Sequence, residues 1–113
     1  MNNSVLENAE KIKEYINNHN GIDTVIIDLS DKCSWAECFI ISTVTSSGHL
    51  KGLVHELWSF LINLGLSVNK RHKTPRTDTW ELIDCSDIVI HLMNKETREF
   101  YSLERLWEVY TQN

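Results

Sequence analysis

The chain has one proline and four glycines in 113 residues. That excludes a proline-rich spacer, a low-complexity segment and the glycine-rich loop that cradles phosphates. Its three cysteines, Cys33, Cys38 and Cys85, are an odd number without close pairs. They argue against a disulfide framework and for a reducing compartment. Taken with His49, His55 and His91 they show no zinc spacing, and His49 and His55 fall on different sides of a helix. No apolar run approaches the roughly 18 to 20 residues of a membrane span. The opening MNNSVLENAEKIKEYI lacks the basic start and apolar core of a secretory signal. The expectation is a cytoplasmic protein with no membrane attachment. Basic residues are also scarce, 11 against 16 acidic, giving a formal charge of −5. Such a chain gains little from phosphate backbones. A basic protein suits its charge better, even beside RNA.

What is present is the material of one ordinary globular domain. The chain is 42% hydrophobic and 24% charged, and long enough to bury a core without staples. Ser4 and Glu7 read as a capping box, followed by Val5, Ala9, Ile12, Tyr15 and Ile16 at helical spacing, with Gly21 as a left-handed cap. Two β-branched runs, Asp23 to Ser30 and Glu37 to Val44, read as strands. A second helix follows the capping candidates Thr45, Ser46 and Ser47. Its stripe is Leu50, Leu53, Val54, Leu57, Trp58, Leu61 and Ile62, with Leu57 and Trp58 expected in the core, and Gly65 closes it. LSVNKRHKTPR predicts a third strand and then a basic loop, Lys70 to Arg76, ending near the lone Pro75. DTWELID and DIVIHLM predict strands four and five. NKETRE reads as a turn, and FYSLERLWEVY as a final helix capped by Ser102. The order implies a single α/β domain, residues 1–113, with a mixed sheet of about five strands flanked by helices.

A two-residue turn at Cys85 and Ser86 sets the expected hairpin register. Asp84 then faces Asp87, Leu82 faces Val89, and Trp80 faces His91, all on one side of the sheet. The other side carries Ile83, Ile88, Ile90 and Leu92 with Glu81, and is expected to meet helices. The indole and imidazole side suits a surface that a partner completes. An ordinary cross-strand pair beneath a helix is the competing reading. Leu103, Leu106, Trp107 and Tyr110 have the spacing of core residues, and Arg98 and Glu99 that of a solvated turn.

Catalytic readings find little here. Asp84 and Asp87 could hold magnesium, but aspartates at a hairpin end commonly bond their own backbone. Ser46 and Ser47 before Gly48 offer a helix N-terminus to a phosphate, yet no lysine follows at the required spacing.

Trp80, Asp84, Asp87, His91, Arg98, Tyr101, Leu103, Glu104, Leu106 and Trp107, together with Thr45, Ser46, Ser47 and His49, form a pattern that resembles the Iojap-like ribosomal silencing factor family. The resemblance runs from about Ile12 to Trp107. Ser86 stands where the family usually has glycine, Gly48 where it often has a basic residue, and KRHKTPRTD where it has an acidic, glycine-containing loop. The resemblance implies a nucleotidyltransferase-like fold without that fold's catalytic motif, so no catalytic residue, cofactor or metal. It implies binding to the large ribosomal subunit through ribosomal protein fourteen of that subunit. Blocking of the small subunit would then lower translation when nutrients are scarce. With the strand alternation it assigns Trp80, Leu82, Val89, His91 and Tyr101 to partner binding, and Asp84, Asp87, Arg98, Leu103 and Trp107 to support of that site. It leaves room for a minor contact with ribosomal RNA and for a homodimer of the free protein. The alternatives are a nucleotide-handling enzyme on the same fold and an interaction module of another assembly.

Overall fold

The computed structural model describes residues 3–34, 36–69 and 77–105. Helix α1 (Asn3–Asn18) leads into strands β1 (Ile22–Asp28) and β2 (Cys38–Thr43). Helix α2 (Ser47–Asn63), strands β3 (Trp80–Asp84) and β4 (Ile88–Met93) and helix α3 (Lys95–Tyr101) follow. The sheet order is β1-β2-β4-β3, with β2 and β4 parallel at the centre and an antiparallel strand on each side. This is the mixed α/β sheet expected from the sequence, with four strands rather than five among the described residues. Residues 66–69 of the predicted third strand form none: Leu66 and Val68 pack against the core, and Asn69 N–H donates to Asp84 O at 2.8 Å. The rest of that segment lies outside the described residues.

Both central strands are buried along their whole length, as strands covered on two faces must be. One face carries Cys38, Ile40, Ile83, Ile88, Ile90 and Leu92 against Val5, Ala9, Ile12 and Ile16 of α1 and Leu50, Leu53, Val54, Leu57 and Leu61 of α2. This is the aliphatic face expected to meet helices. Ile62, on the expected stripe, is 54% exposed, and Trp58, expected in the core with the fully buried Leu57, is only half-buried. Both stand at the margins of a stripe narrower than the sequence suggested. Among the described residues the opposite face has no long helix. Phe39, Ile41, Val89 and Met93 are covered there by Leu29 and Ala36 from the loop between β1 and β2, with Leu103 and Trp80 alongside.

The helix ends follow local chemistry. Ser46 caps α2 by accepting from His49 N–H at 3.0 Å. Gly65 (φ 84°) closes α2, with Gly65 N–H bonded to Ile62 O and Leu66 N–H to Leu61 O, the Schellman arrangement. At the end of α1 the left-handed residue is Asn20 (φ 69°), not Gly21 as predicted. Gly21 is needed for space, since a Cβ there would collide with Ile16 Cγ2 and Ser42 Oγ. Helix α1 begins at Asn3, so Ser4 lies inside its first turn rather than capping it.

Two further expectations are corrected. NKETRE is not a turn: Asn94 caps α3, accepting from Thr97 N–H at 2.8 Å, and the helix runs through it. The backbone is helical again over residues 103–105, directly after Ser102 as expected, but Ser102 takes the left-handed conformation (φ 48°) that ends α3, its hydroxyl donating to Glu99 O at 2.6 Å. Leu106, Trp107 and Tyr110 lie outside the described residues.

Candidate functional site, an aromatic surface on the open sheet face

The site is built on the β3–β4 hairpin. Its turn falls one residue later than predicted, on Ser86 and Asp87, closed by Cys85 N–H to Ile88 O at 2.9 Å. Cys85 is buried among the helix-side core residues and so cannot sit at the tip. Asp84 Oδ1 accepts from Ser86 N–H at 2.8 Å and fixes the bend. Ser86 takes a φ of 69°, at the first tip position, where a type II′ turn favours glycine.

The one-residue slip moves every cross-strand partner by two. Trp80 lies opposite Met93, Leu82 opposite His91, and Asp84 opposite Val89. The expected pairs Trp80 with His91, Leu82 with Val89 and Asp84 with Asp87 are therefore not formed. The faces survive, because a shift of two preserves strand alternation. Trp80, Leu82, Asp84, Val89 and His91 still share one face.

Trp80 and His91 meet diagonally. The indole Nε1–H donates to His91 Nδ1 at 3.2 Å. Burial pushes the His91 pKa down to about 4, so the ring is neutral at pH 7 and Nδ1 is free to accept. With its polar handle used internally, Trp80 offers carbon to the outside. Tyr101 lies against it, ring centroids 4.8 Å apart, and Phe100 meets Tyr101 edge-on at 5.0 Å. Phe100 is 81% exposed, Tyr101 51% and Leu82 41%. These with half-buried Trp80 form a continuous apolar surface.

The predicted site residues separate on this geometry. Trp80, Leu82 and Tyr101 lie at the surface; Val89 and His91 are buried beneath it. Asp84 holds the turn, and Asp87 O accepts from Glu37 and Cys38 N–H, anchoring the start of β2. Leu103 packs beside the open face. Arg98 is buried, not a solvated turn residue. Phe100 was missed because NKETRE read as a turn and the helix was expected to start only at the Ser102 cap, which left Phe100 ahead of it.

A separate cavity of about 1090 Å³ opens at the C-terminal ends of β2 and β4, lined by Thr45, Ser46, Ser47, Asn94 and Arg98 among others. Among the described residues no group of three or more potential ligands could hold a metal ion. Burial pushes the thiols of Cys38 and Cys85 up to about 12, with nearby carboxylates adding to it, so neither is a nucleophile at neutral pH. No described helix is long and apolar enough to cross a membrane.

Known proteins resemble this chain over most of its length. The model of a family described as ribosomal silencing factor during starvation matches residues 2–113. A ribosomal silencing factor from Treponema pallidum is 29% identical over 101 residues, covering 88% of this chain and 89% of its own length. A mouse protein, named mitochondrial assembly of ribosomal large subunit protein 1, is 34% identical over 90 residues, which is 78% of this chain and 40% of its own. A crystal structure of a Chromobacterium violaceum protein superposes with a TM-score of 0.80 at 25% identity, covering 90% of this chain and 85% of that one. With a family match over nearly its whole length, this chain belongs to the ribosomal silencing factor family.

Proposed function

We propose that this protein represses translation by binding the large ribosomal subunit through ribosomal protein fourteen of that subunit, where it blocks joining of the small subunit. The observation that carries this reading is the aromatic surface formed by Trp80, Leu82, Phe100 and Tyr101 on the sheet face that α1 and α2 leave open. Large aromatics with few exposed polar atoms are the usual anchors of protein interfaces. Val89, His91, Asp84, Asp87 and Leu103 support it from below or hold its hairpin. The action is occlusion in the cytoplasm, without chemistry. The acidic chain gains association rate and orientation against a basic ribosomal protein.

The test is sedimentation of the full chain with separated ribosomal subunits. Wild type co-sediments with the large subunit and not with the small. Trp80→Ala lowers affinity by about thirtyfold or more, the equivalent of about 2 kcal/mol. Because this variant also frees His91 Nδ1, circular dichroism must first show that it is folded. Tyr101→Ala, at a half-exposed position, is the second probe. Unchanged binding by folded forms of both variants removes this surface from the interface.

A further inference from the structure

Helix α3 has seven residues, too few to persist by backbone hydrogen bonding alone. Apart from Tyr101 against Trp80, little apolar packing holds its described residues. Arg98 is its only buried residue, and Lys95, Glu96, Arg98 and Glu99 border the cavity rather than the core. What fastens α3 is the Arg98 guanidinium. Nε and Nη2 grip the Glu104 carboxylate at 3.0 and 3.1 Å. Nη1 donates to Thr43 Oγ1 at 2.9 Å and to Ile22 O at 3.2 Å, and Nη2 to Asp23 O at 2.7 Å. Those two carbonyls come from the irregular start of β1, where the ladder to β2 shifts between Ile22 and Val25 and Asp23 has a φ of 51°. Three residues after Arg98, Tyr101 rests on Trp80 of β3. β1 and β3 are the two edges of the sheet. Helix α3 is thus a strap across one end of the sheet, bolted on the β1–β2 side and resting on the aromatic surface at the other.

We propose that Arg98 is a positioning residue: without touching the partner, it sets partner affinity by fixing where Tyr101 and Phe100 stand relative to Trp80. The proposal rests on the reading that this aromatic surface binds the large subunit. Lysine cannot replace Arg98, because a single ammonium lacks the planar fork that reaches Glu104, Thr43 and two carbonyls together.

The experiment compares Arg98→Lys with wild type in the full chain, and repeats the comparison in a Phe100→Ala/Tyr101→Ala background. Circular dichroism reports folding, nuclear Overhauser contacts between the Trp80 and Tyr101 rings report the strap, and sedimentation with large subunits reports affinity. The expected result is a folded Arg98→Lys protein that loses the ring contacts and about fivefold or more in affinity. That loss disappears in the double-alanine background, because Arg98 acts through the two rings. A folded Arg98→Lys that binds like wild type overturns the proposal, as does an equal loss in both backgrounds. If Arg98→Lys does not fold, Glu104→Gln takes its place under the same two criteria, since it removes only the outer grip. Trp80→Ala in parallel separates the two failures. Wild-type binding there means that the surface reading itself is wrong. Loss there with none for Arg98→Lys means that only the role of Arg98 is.

Discussion

His91 makes the stability of this domain depend on pH. Its ordinary pKa of 6.5 is pushed down to about 4 by burial, so the unfolded chain takes up a proton that the folded chain refuses. The folded pKa is the lower one; the stability it contributes is therefore complete above about pH 6.5 and drains away as pH falls toward 4. The shift corresponds to about 3 kcal/mol. Urea unfolding at a series of pH values between 7 and 4 should show that decline, and His91→Phe should flatten it. A decline of the same size in the variant would place its origin elsewhere. Protonation also removes the acceptor for Trp80 Nε1–H, so the aromatic surface loosens in the same window. Asp28, held below the usual carboxylate range by Ser30 N–H and its hydroxyl, keeps its contribution through this window and loses it only as pH falls through its own lower pKa. That Trp80 and His91 share a face was legible from alternation. That the histidine is buried neutral, and that Arg98 is buried at all, was not: both depend on groups distant in the chain.

At the scale of elements, the β3–β4 hairpin is where a local rule came closest and still missed. The residues named the turn correctly within one position. Which two residues occupy the tip was decided by the buried side chain of Cys85 and by Asp84 capturing Ser86 N–H. Ser86 holds a positive φ, which costs a non-glycine residue roughly 1–2 kcal/mol. Ser86→Gly should therefore raise stability, by about 0.5–1 kcal/mol once the freer unfolded chain is counted, while Ser86→Val lowers it. Thermal unfolding of the two variants checks the sign, and a glycine variant less stable than wild type would mean that the Asn69 to Ser86 Oγ bond outweighs the strain. Helix α3 failed as a prediction for a different reason. Its one core contact is an arginine, so no apolar period marked it.

The described residues span 39 × 33 × 24 Å, which is thick enough to keep two apposed surfaces apart. The cavity at the C-terminal ends of β2 and β4 is where open α/β folds commonly take ligands, and it is the natural place to seek a nucleotide. The one cation buried there among the described residues, Arg98, is already bonded to Glu104 and two carbonyls. Asp23, Asp78, Glu96, Glu99 and Glu104 outnumber Lys95, Arg98 and Arg105 along the same lining and oppose a polyphosphate. Nucleoside triphosphates with magnesium should therefore leave the melting temperature unchanged, where a ligand at 100 times its Kd would add about 2.7 kcal/mol. A clear rise would favour a nucleotide-handling enzyme over a repressor that works by bulk.

The sequence by itself determined the mixed α/β class, the two long helices, the central strands and the division of the hairpin into an aliphatic and an aromatic face. These follow from periods of 3.6 and 2, from caps such as Ser46 and Gly65, and from the hydrophobic effect acting on neighbours along the chain. Only the tertiary structure decided the strand order, the register that sets Trp80 diagonal to His91, and the burial of Val89 and His91 beneath the surface rather than on it. It also decided that Phe100 and Tyr101 stand beside Trp80. The physical reason is common to all of these: each depends on a contact between groups far apart in the chain, Arg98 with Ile22, Asp23 and Thr43 above all, and no local pattern of residues encodes such a contact.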